Sequence, residues 1–259
     1  MKPLQIKAEI ISNQNVGARF WRCELSAARI ARGAYPGQFV EIKINETGAP
    51  LLRRPLSIHY ADKNKVVLLY EVLGPGTKAL ALKKPGEFLD LIGPLGEGFD
   101  ISSGRKNQES VLVAGGMGIA PILFLSKILD PGKTSVIIGA RTKDGLLCFK
   151  EFKKKGFRVQ VATDDGSLGF KGKVTGLLEK FLAARPSVNI YACGPQPMLK
   201  TIAKIAGKNN LPAQLSLEAH MACGIGACLG CVVSTTAGFK RVCKDGPVFM
   251  AGELLWKDQ

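Results

Sequence analysis

Over residues 1–101 the apolar positions come in short, partly alternating runs. LQIKAEII (4–11), RFWRCEL (19–25), QFVEIKI (38–44), KVVLLYEV (65–72) and EFLDLI (87–92) are separated by Gly, Pro and Asn turns. Alternation over such lengths predicts strands, and their spacing predicts a small antiparallel barrel. One helical piece, TKALALKK (77–84), interrupts them. Past residue 108 the rhythm changes. VLVA (111–114), SVIIGA (135–140), RVQVAT (158–163) and NIYA (189–192) are mostly continuous apolar runs, as expected of strands covered on both faces. Between them lie the apolar-periodic IAPILFLSKIL (119–129), a Lys-rich helix, and helices over 174–184 and 196–206. Strands alternating with helices predict an open, doubly wound parallel α/β sheet. The polar stretch SSGRKNQ (102–108) reads as a linker, and a last segment from Gln214 sets cysteines between glycines. The expected fold class is α/β plus all-β in three parts: a barrel over 1–101, an α/β domain over 108–213 and a small cysteine domain over 214–259.

Composition adds exclusions. Of 259 residues, 46% are hydrophobic and 22% charged, which fits a chain that buries a core and excludes a mostly disordered one. No apolar run approaches the roughly 20 residues that span a bilayer. Charges also break the N-terminal MKPLQIKAEIISNQ, so neither a membrane partner nor a secretory signal is expected. Basic residues number 36 against 21 acidic, a net charge of +15. The lysines are scattered apart from Lys153, Lys154 and Lys155, and aromatics are only 7%, so no nucleic-acid partner is expected. Seven cysteines, an odd number without a signal, argue against a disulfide framework and for thiols in a reducing, cytoplasmic compartment.

The sharpest chemistry is Cys223-x4-Cys228-x2-Cys231-x11-Cys243. Four thiolates are the ligand set of a [2Fe-2S] cluster, and the x4-x2 spacing is that of plant-type ferredoxins. Gly224, Gly226 and Gly230 let such a loop wrap an inorganic core and aim N–H groups at its sulfurs. Four cysteines also suit structural zinc, but three within nine residues do not divide into two CxxC knuckles.

Other signals are weaker. Arg53-Arg54-Pro55-Leu56-Ser57-Ile58 offers a guanidinium for a phosphate and a hydroxyl beyond a stiff proline, although an ordinary charged strand start reads the same way. Gly74-Pro75-Gly76-Thr77 precedes a helix with Thr77 expected at the N-cap, and glycines before a helix N-terminus also suit a diphosphate. Ala114-Gly115-Gly116-Met117-Gly118-Ile119-Ala120-Pro121 follows a strand and opens a helix, where a doubly wound sheet takes a nucleotide, yet Pro121 breaks the GxGxxG pattern. Cys193-Gly194-Pro195 ends the strand NIYA on the same ligand side, with Cys193 equally readable as a small buried hydrophobe. His59 and His220 read as structural, and Asp164-Asp165 as a turn.

RRPLSI, LYEVLGPGT, GPLGEGF, AGGMGIAP and YACGPQPM, in this order, resemble the ferredoxin-NADP reductase superfamily. SLEAHMACGIGACLGCVV followed by VCKDGPVF narrows the resemblance to the iron–sulfur flavoprotein electron-transfer subunits of B-type, NAD-dependent dihydroorotate dehydrogenases, over residues 37–249. The resemblance implies FAD on Arg54, Pro55, Leu56 and Ser57, with the Ser57 hydroxyl near the flavin N5. It adds FAD contacts at Leu69, Tyr70 and Glu71, and at Gly76 and Thr77 beside the pyrophosphate. It implies NAD(H) on Gly116, Met117, Gly118, Ile119 and Ala120, with Cys193, Gly194 and Pro195 near the nicotinamide. Cys223, Cys228, Cys231 and Cys243 become the [2Fe-2S] ligands. Relatives commonly carry arginine where this chain has Glu71, so the diphosphate contact there is either lost or supplied by backbone or Lys78.

This cofactor set has one electronic logic: nicotinamide exchanges hydride, a cluster exchanges single electrons, and a flavin does both and so stands between them. Hydride transfer to flavin needs alignment more than acid–base chemistry, so no residue is assigned as catalytic. By resemblance, the partner is an FMN-containing dihydroorotate dehydrogenase catalytic subunit, in a heterotetramer of two of each. That subunit oxidises dihydroorotate to orotate in pyrimidine biosynthesis, and the electrons run to NAD+. One alternative is a reductase subunit of the same superfamily that serves a hydrogenase, sulfur reduction or a bifurcating complex. Another, of a different class, is a nucleic-acid-binding zinc module. Arg141 and Lys143, after SVIIGA, stand where a 2′-phosphate would lie, whereas the resemblance favours NAD.

Overall fold

The alternating runs fold as β1 (Leu4–Gly17), β2 (Phe20–Ser26), β3 (Phe39–Lys43), β5 (Lys65–Glu71) and β6 (Phe88–Leu95), joined by β4 (Arg54–Ala61), which starts at the charged motif Arg53–Ile58. In the computed structural model, which describes residues 2–45, 50–102 and 108–256, these strands close an antiparallel barrel in the order β1-β2-β5-β4-β3-β6. The inward residues Ile10, Leu25, Val40, Ile58, Leu68 and Tyr70 share one core. β4 lacks an alternating signature because its inner face meets that core while its outer face is covered by a later helix. Two short helices, α1 (Ala28–Ala31) and α2 (Pro75–Ala81), sit in the connections. Of the linker expected over 102–108, residues 103–107 lie outside the described residues.

The second part alternates as its sequence requires: β7 (Glu109–Gly115), α3 (Ile119–Leu125), β8 (Thr134–Ala140), α4 (Phe149–Lys154), β9 (Arg158–Thr163), β10 (Phe170–Lys171), α5 (Val174–Ala184), β11 (Val188–Cys193), α6 (Gln196–Lys208) and β12 (Ala213–Ser216). These strands are parallel. α3 and α4 cover the sheet face towards the barrel, and α5 and α6 the other. Strand order reverses between β7 and β11, so the ends of those two strands flank the crevice where such sheets take ligands.

The cysteine segment is not separate from this sheet. After β12 the chain forms the cysteine loop and a hairpin, β13 (Val232–Thr235) and β14 (Gly238–Arg241), then returns as β15 (Val248–Met250), antiparallel to β12. The expected boundary at 213/214 therefore falls inside β12. The segment is also locked to the barrel. Glu97 N–H donates to the Gly246 carbonyl at 2.6 Å, and a Cβ on Gly96 would lie 2.6 Å from that same oxygen. Among the described residues, no helix is long and apolar enough to cross a membrane.

His59 links barrel to sheet. It lies on the outer face of β4, is 2% exposed, and hydrogen-bonds the Ala120 backbone at the start of α3. Burial, followed by the positive charge of Arg22, pushes its imidazole down to about 4 from an ordinary 6.5. A folded pKa below the unfolded one means the stabilisation is complete above pH 6.5 and is lost as pH falls towards 4. Denaturant unfolding at pH 7.5 and 4.5 should therefore differ by about 2–3 kcal/mol more in the wild type than in His59→Gln, and equal slopes would remove this role.

Candidate functional site

The two arginines before β4 divide their work. Arg53 makes a two-pronged pair with Asp90, at 3.1 and 3.0 Å, and donates to the Asp90 carbonyl at 2.9 Å. Among the described residues, Arg54 bonds only the carbonyls of Leu52 and Arg53, and its guanidinium lies against Gly76, where a Cβ would collide with it. Gly76 and Arg54 thus make a positive cradle at the start of α2, fit for a diphosphate. Thr77, expected at the N-cap, instead occupies the third helical position, and Gly74 is the cap. The Thr77 hydroxyl turns back to accept from Leu73 N–H at 3.0 Å and Gly74 N–H at 3.3 Å.

Not every residue of the flavin motif faces the site. The Leu56 side chain packs on the barrel core. Tyr70 is 1% exposed inside the barrel and donates its hydroxyl to Asn13 Oδ1 at 3.0 Å. Both can offer a ligand only their backbone. Ser57, by its register opposite Phe39, faces outward with Pro55. Leu69 lies in the apolar cluster that faces the sheet. Glu71 pairs with Arg19 at the barrel rim, so its carboxylate is neutralised within the chain.

Across the crevice, the two glycine turns touch. A Cβ on Gly118 would collide with the Cys193 carbonyl, and one on Gly115 would lie 2.6 Å from Met198 Sδ. Gly116 has φ +53°, which opens the turn. Ile119 and Ala120 are 0% and 1% exposed in the core, so their side chains hold the turn and do not line it. Cys193 is buried, and desolvation raises its thiol well above the ordinary range. Glu218 joins this end of the cleft and escaped the sequence reading. Its surroundings and the facing Glu71 both raise its carboxyl above the ordinary value. A lone acid two residues beyond a parallel strand was the available signal.

The cysteine loop is already arranged around sulfur. Cys223 Sγ accepts from the N–H groups of Ala227 and Cys228 at 3.3 and 3.4 Å, Cys228 Sγ from Gly230, and Cys231 Sγ from Cys243. Desolvation raises the Cys223 thiol, but the N–H groups of Cys228 and Ile225 outweigh it and bring the thiol down to about 6. Burial and contact with Cys231 push Cys243 up to about 12. Among the described residues, no three thiol, imidazole or carboxyl groups gather as a single-ion site requires. The sulfurs are instead met by backbone N–H groups, an environment that suits the sulfurs of an iron–sulfur cluster. Glu41 on β3 lies beneath the loop, packed against Gly224 and 1% exposed, and among the described residues neither carboxyl oxygen is hydrogen-bonded. It too was missed, because in sequence it is the polar position of an alternating strand.

Known proteins share these features. Residues 218–255 match the family described as the iron-sulfur cluster binding domain of dihydroorotate dehydrogenase B, and residues 112–204 the oxidoreductase NAD-binding domain. The chain is 40% identical over 258 residues to the dihydroorotate dehydrogenase B (NAD(+)) electron transfer subunit of Desulforamulus reducens, covering 96% of this chain and 98% of that one. The subunit of the same name from Caldanaerobacter subterraneus subsp. tengcongensis is 40% identical over 256 residues, with 97% and 99% covered. Among solved structures, an NADH-dependent reduced ferredoxin-NADP oxidoreductase studied for flavin-based electron bifurcation superposes with a TM-score of 0.85 at 32% identity, over 96% of this chain and 90% of the other. A ferredoxin NADP+ reductase from Neisseria gonorrhoeae with bound FAD and NADP shares the fold, at TM-score 0.67 and 17% identity over 79% and 91%.

The division between the arginines is testable. Arg54→Ala should weaken FAD binding about tenfold or more, the worth of a charge-assisted contact, with little change in melting temperature. Arg53→Ala should instead cost about 1–3 kcal/mol of stability by leaving Asp90 without its partner. Fluorescence titration with FAD and denaturant unfolding separate the two effects; a reversed pattern would reassign the roles.

Proposed function

The chain belongs to the family of dihydroorotate dehydrogenase B (NAD(+)) electron transfer subunits, and from that membership we propose how its residues carry electrons between NAD(H) and a catalytic partner. The observation that carries the reading is a shared wall. On the outer face of β3 and β4, Ser57 pairs with Phe39 and Pro55 with Glu41, and Glu41 meets Gly224 of the cysteine loop. A flavin held at Ser57 and a cluster held by the four cysteines therefore lie on neighbouring stretches of one rigid surface. When bound, FAD supplies the exchange between hydride and single electrons that links nicotinamide to the cluster.

The chain's own residues do the positioning. Arg54 and the backbone at Gly76 and Thr77 hold the FAD diphosphate; Leu69 and Ser57 bed its ring. Gly116, Met117 and Gly118 receive the nicotinamide nucleotide's phosphates, and the turn at Cys193, Gly194 and Pro195 seats the nicotinamide, with Glu218 beside it. Cys223, Cys228, Cys231 and Cys243 would hold the [2Fe-2S] cluster.

The partner, a catalytic subunit with FMN in an assembly of two of each chain, docks over the cysteine loop. Cys228 is exposed there, and Ile225 and Leu229 of the loop and Phe239 of the β13–β14 hairpin are 51%, 60% and 76% exposed. Large apolar side chains displayed beside an electron-exit site suit an interface. Service to a bifurcating partner is the second reading, favoured by the 32% identity to the bifurcation-related oxidoreductase.

Anaerobic addition of NADH to the purified chain should bleach the flavin and then give the EPR signal of a reduced cluster. A colourless protein with stoichiometric zinc would overturn the relay. With an FMN-containing dihydroorotate dehydrogenase subunit added, dihydroorotate should reduce NAD+. Phe239→Glu should lower that rate about tenfold or more while NADH still bleaches the flavin. Bleaching without any coupling to dihydroorotate would move the chain to the second reading.

A further inference from the structure

One buried acid has no place in the chemistry described so far. Glu41 stands on the outer face of β3, between Pro55 of β4 and Ile92 of β6, neither of which brings it a polar side chain. It is 1% exposed. Over it lies Gly224 of the cysteine loop, at φ +67° and so close that a Cβ there would stand 2.6 Å from Glu41 Oε1 and 2.9 Å from Cδ. The carboxyl is thus pressed between the barrel wall and the turn that follows Cys223, in a space closed to water.

The donors around it are committed elsewhere. The N–H groups of Ala227 and Cys228 go to Cys223 Sγ at 3.3 and 3.4 Å, that of Gly230 to Cys228 Sγ and that of Cys243 to Cys231 Sγ. Arg53 and Arg54, whose charges reach Glu41, are held by Asp90 and by the carbonyls of Leu52 and Arg53. Among the described residues neither oxygen of Glu41 has a hydrogen-bond partner. A buried carboxylate without a donor is strongly disfavoured, and the neutral acid is the form such a place keeps. That acid has an O–H of its own, which needs an acceptor.

The acceptors at hand are the sulfurs for which the loop is built. Hydrogen bonds to the sulfurs of an iron–sulfur cluster help to set its reduction potential. A donor stabilises the more negative, reduced state more than the oxidised one, and so raises the potential.

We propose that Glu41 is a side-chain hydrogen-bond donor to the cluster, its carboxyl O–H directed at cluster sulfur from the barrel side, and that it holds the reduction potential up. The inference rests on the reading of the four cysteines as [2Fe-2S] ligands. It gives β3 a chemical role beyond support: the loop's own backbone serves the sulfurs from within, and the barrel wall serves them from beneath. The bare Cα of Gly224 is what lets the acid come so near, since a side chain there would wedge the loop away from it.

The test is made on the holoprotein, with FAD and cluster in place, and EPR-monitored redox titration reads the cluster's potential. Glu41→Leu removes the donor and should lower the potential. At the wild-type midpoint its reduced-to-oxidised ratio should fall about threefold or more, about 28 mV for one electron. Glu41→Gln keeps a donor and should stay within about twofold of the wild-type ratio. Loss of packing alone would not separate the two variants in this way. A second measurement depends on no variant: reduced-minus-oxidised infrared spectra of the wild type should show the C=O band of a protonated carboxyl that moves to lower frequency on reduction and shifts again in D2O. Glu41→Gln should lack that band. An unchanged potential in Glu41→Leu, a raised potential in Glu41→Gln (the response to losing a negative charge), or no such band in the wild type would each overturn this inference alone. A wild type without any reduced-cluster EPR signal would overturn the relay, and this inference with it.

Discussion

The cysteine segment has little core of its own, and the rest of the arrangement depends on how it makes up that lack. Cys231, Cys243 and Phe249 pack into the same apolar cluster as Phe39 of the barrel and Val188 and Leu215 of the sheet. Contact this close is possible only where side chains are absent. Gly96 meets Gly246, Gly37 meets Val248, and Gly224 meets Glu41, each within the space a Cβ would occupy. These approaches fix the loop against the barrel wall on whose adjacent stretch the flavin motif lies. Interiors packed at this density do not tolerate drift, so the separation between the two cofactor sites is set by the fold and not by a hinge.

Charge is arranged with the same economy. Adjacent in sequence, Arg53 and Arg54 diverge: one is consumed by Asp90, the other remains over Gly76. The carboxylate of Glu71 is taken up by Arg19, with which it pairs. The net charge of +15 thus reflects a solvated surface, together with a few cations directed inward at the cleft.

Period and motif were enough to read the parts that bury a regular face. Five barrel strands, the βα alternation and the helices at 174–184 and 196–206 all carry one-sided or fully apolar patterns. What escaped were residues whose environment is made by distant chain. β4 shows a charged strand start but no alternation that would give its extent, because two different layers cover it. β15 is three residues long and gains its place from β12, about thirty positions earlier. The cysteines were legible because their spacing is local. Glu41 and Glu218 were not, since each acquires its meaning from a loop or rim brought over it. For Ile119, Ala120 and Tyr70 the motif was visible but the direction of the side chain was not, and that depends on which face the core claims.

One backbone contact has an implication of another kind. Leu217 N–H donates to the Pro247 carbonyl at 2.9 Å, so residues 218–246 leave the sheet and re-enter it at a single point. Topologically they are a graft between two neighbouring strands, closed at its neck. The host sheet would be continuous without it, as an ordinary β12–β15 hairpin. A reductase of this architecture can thus acquire, lose or exchange its electron-exit module in one insertion, without altering the order of a single strand.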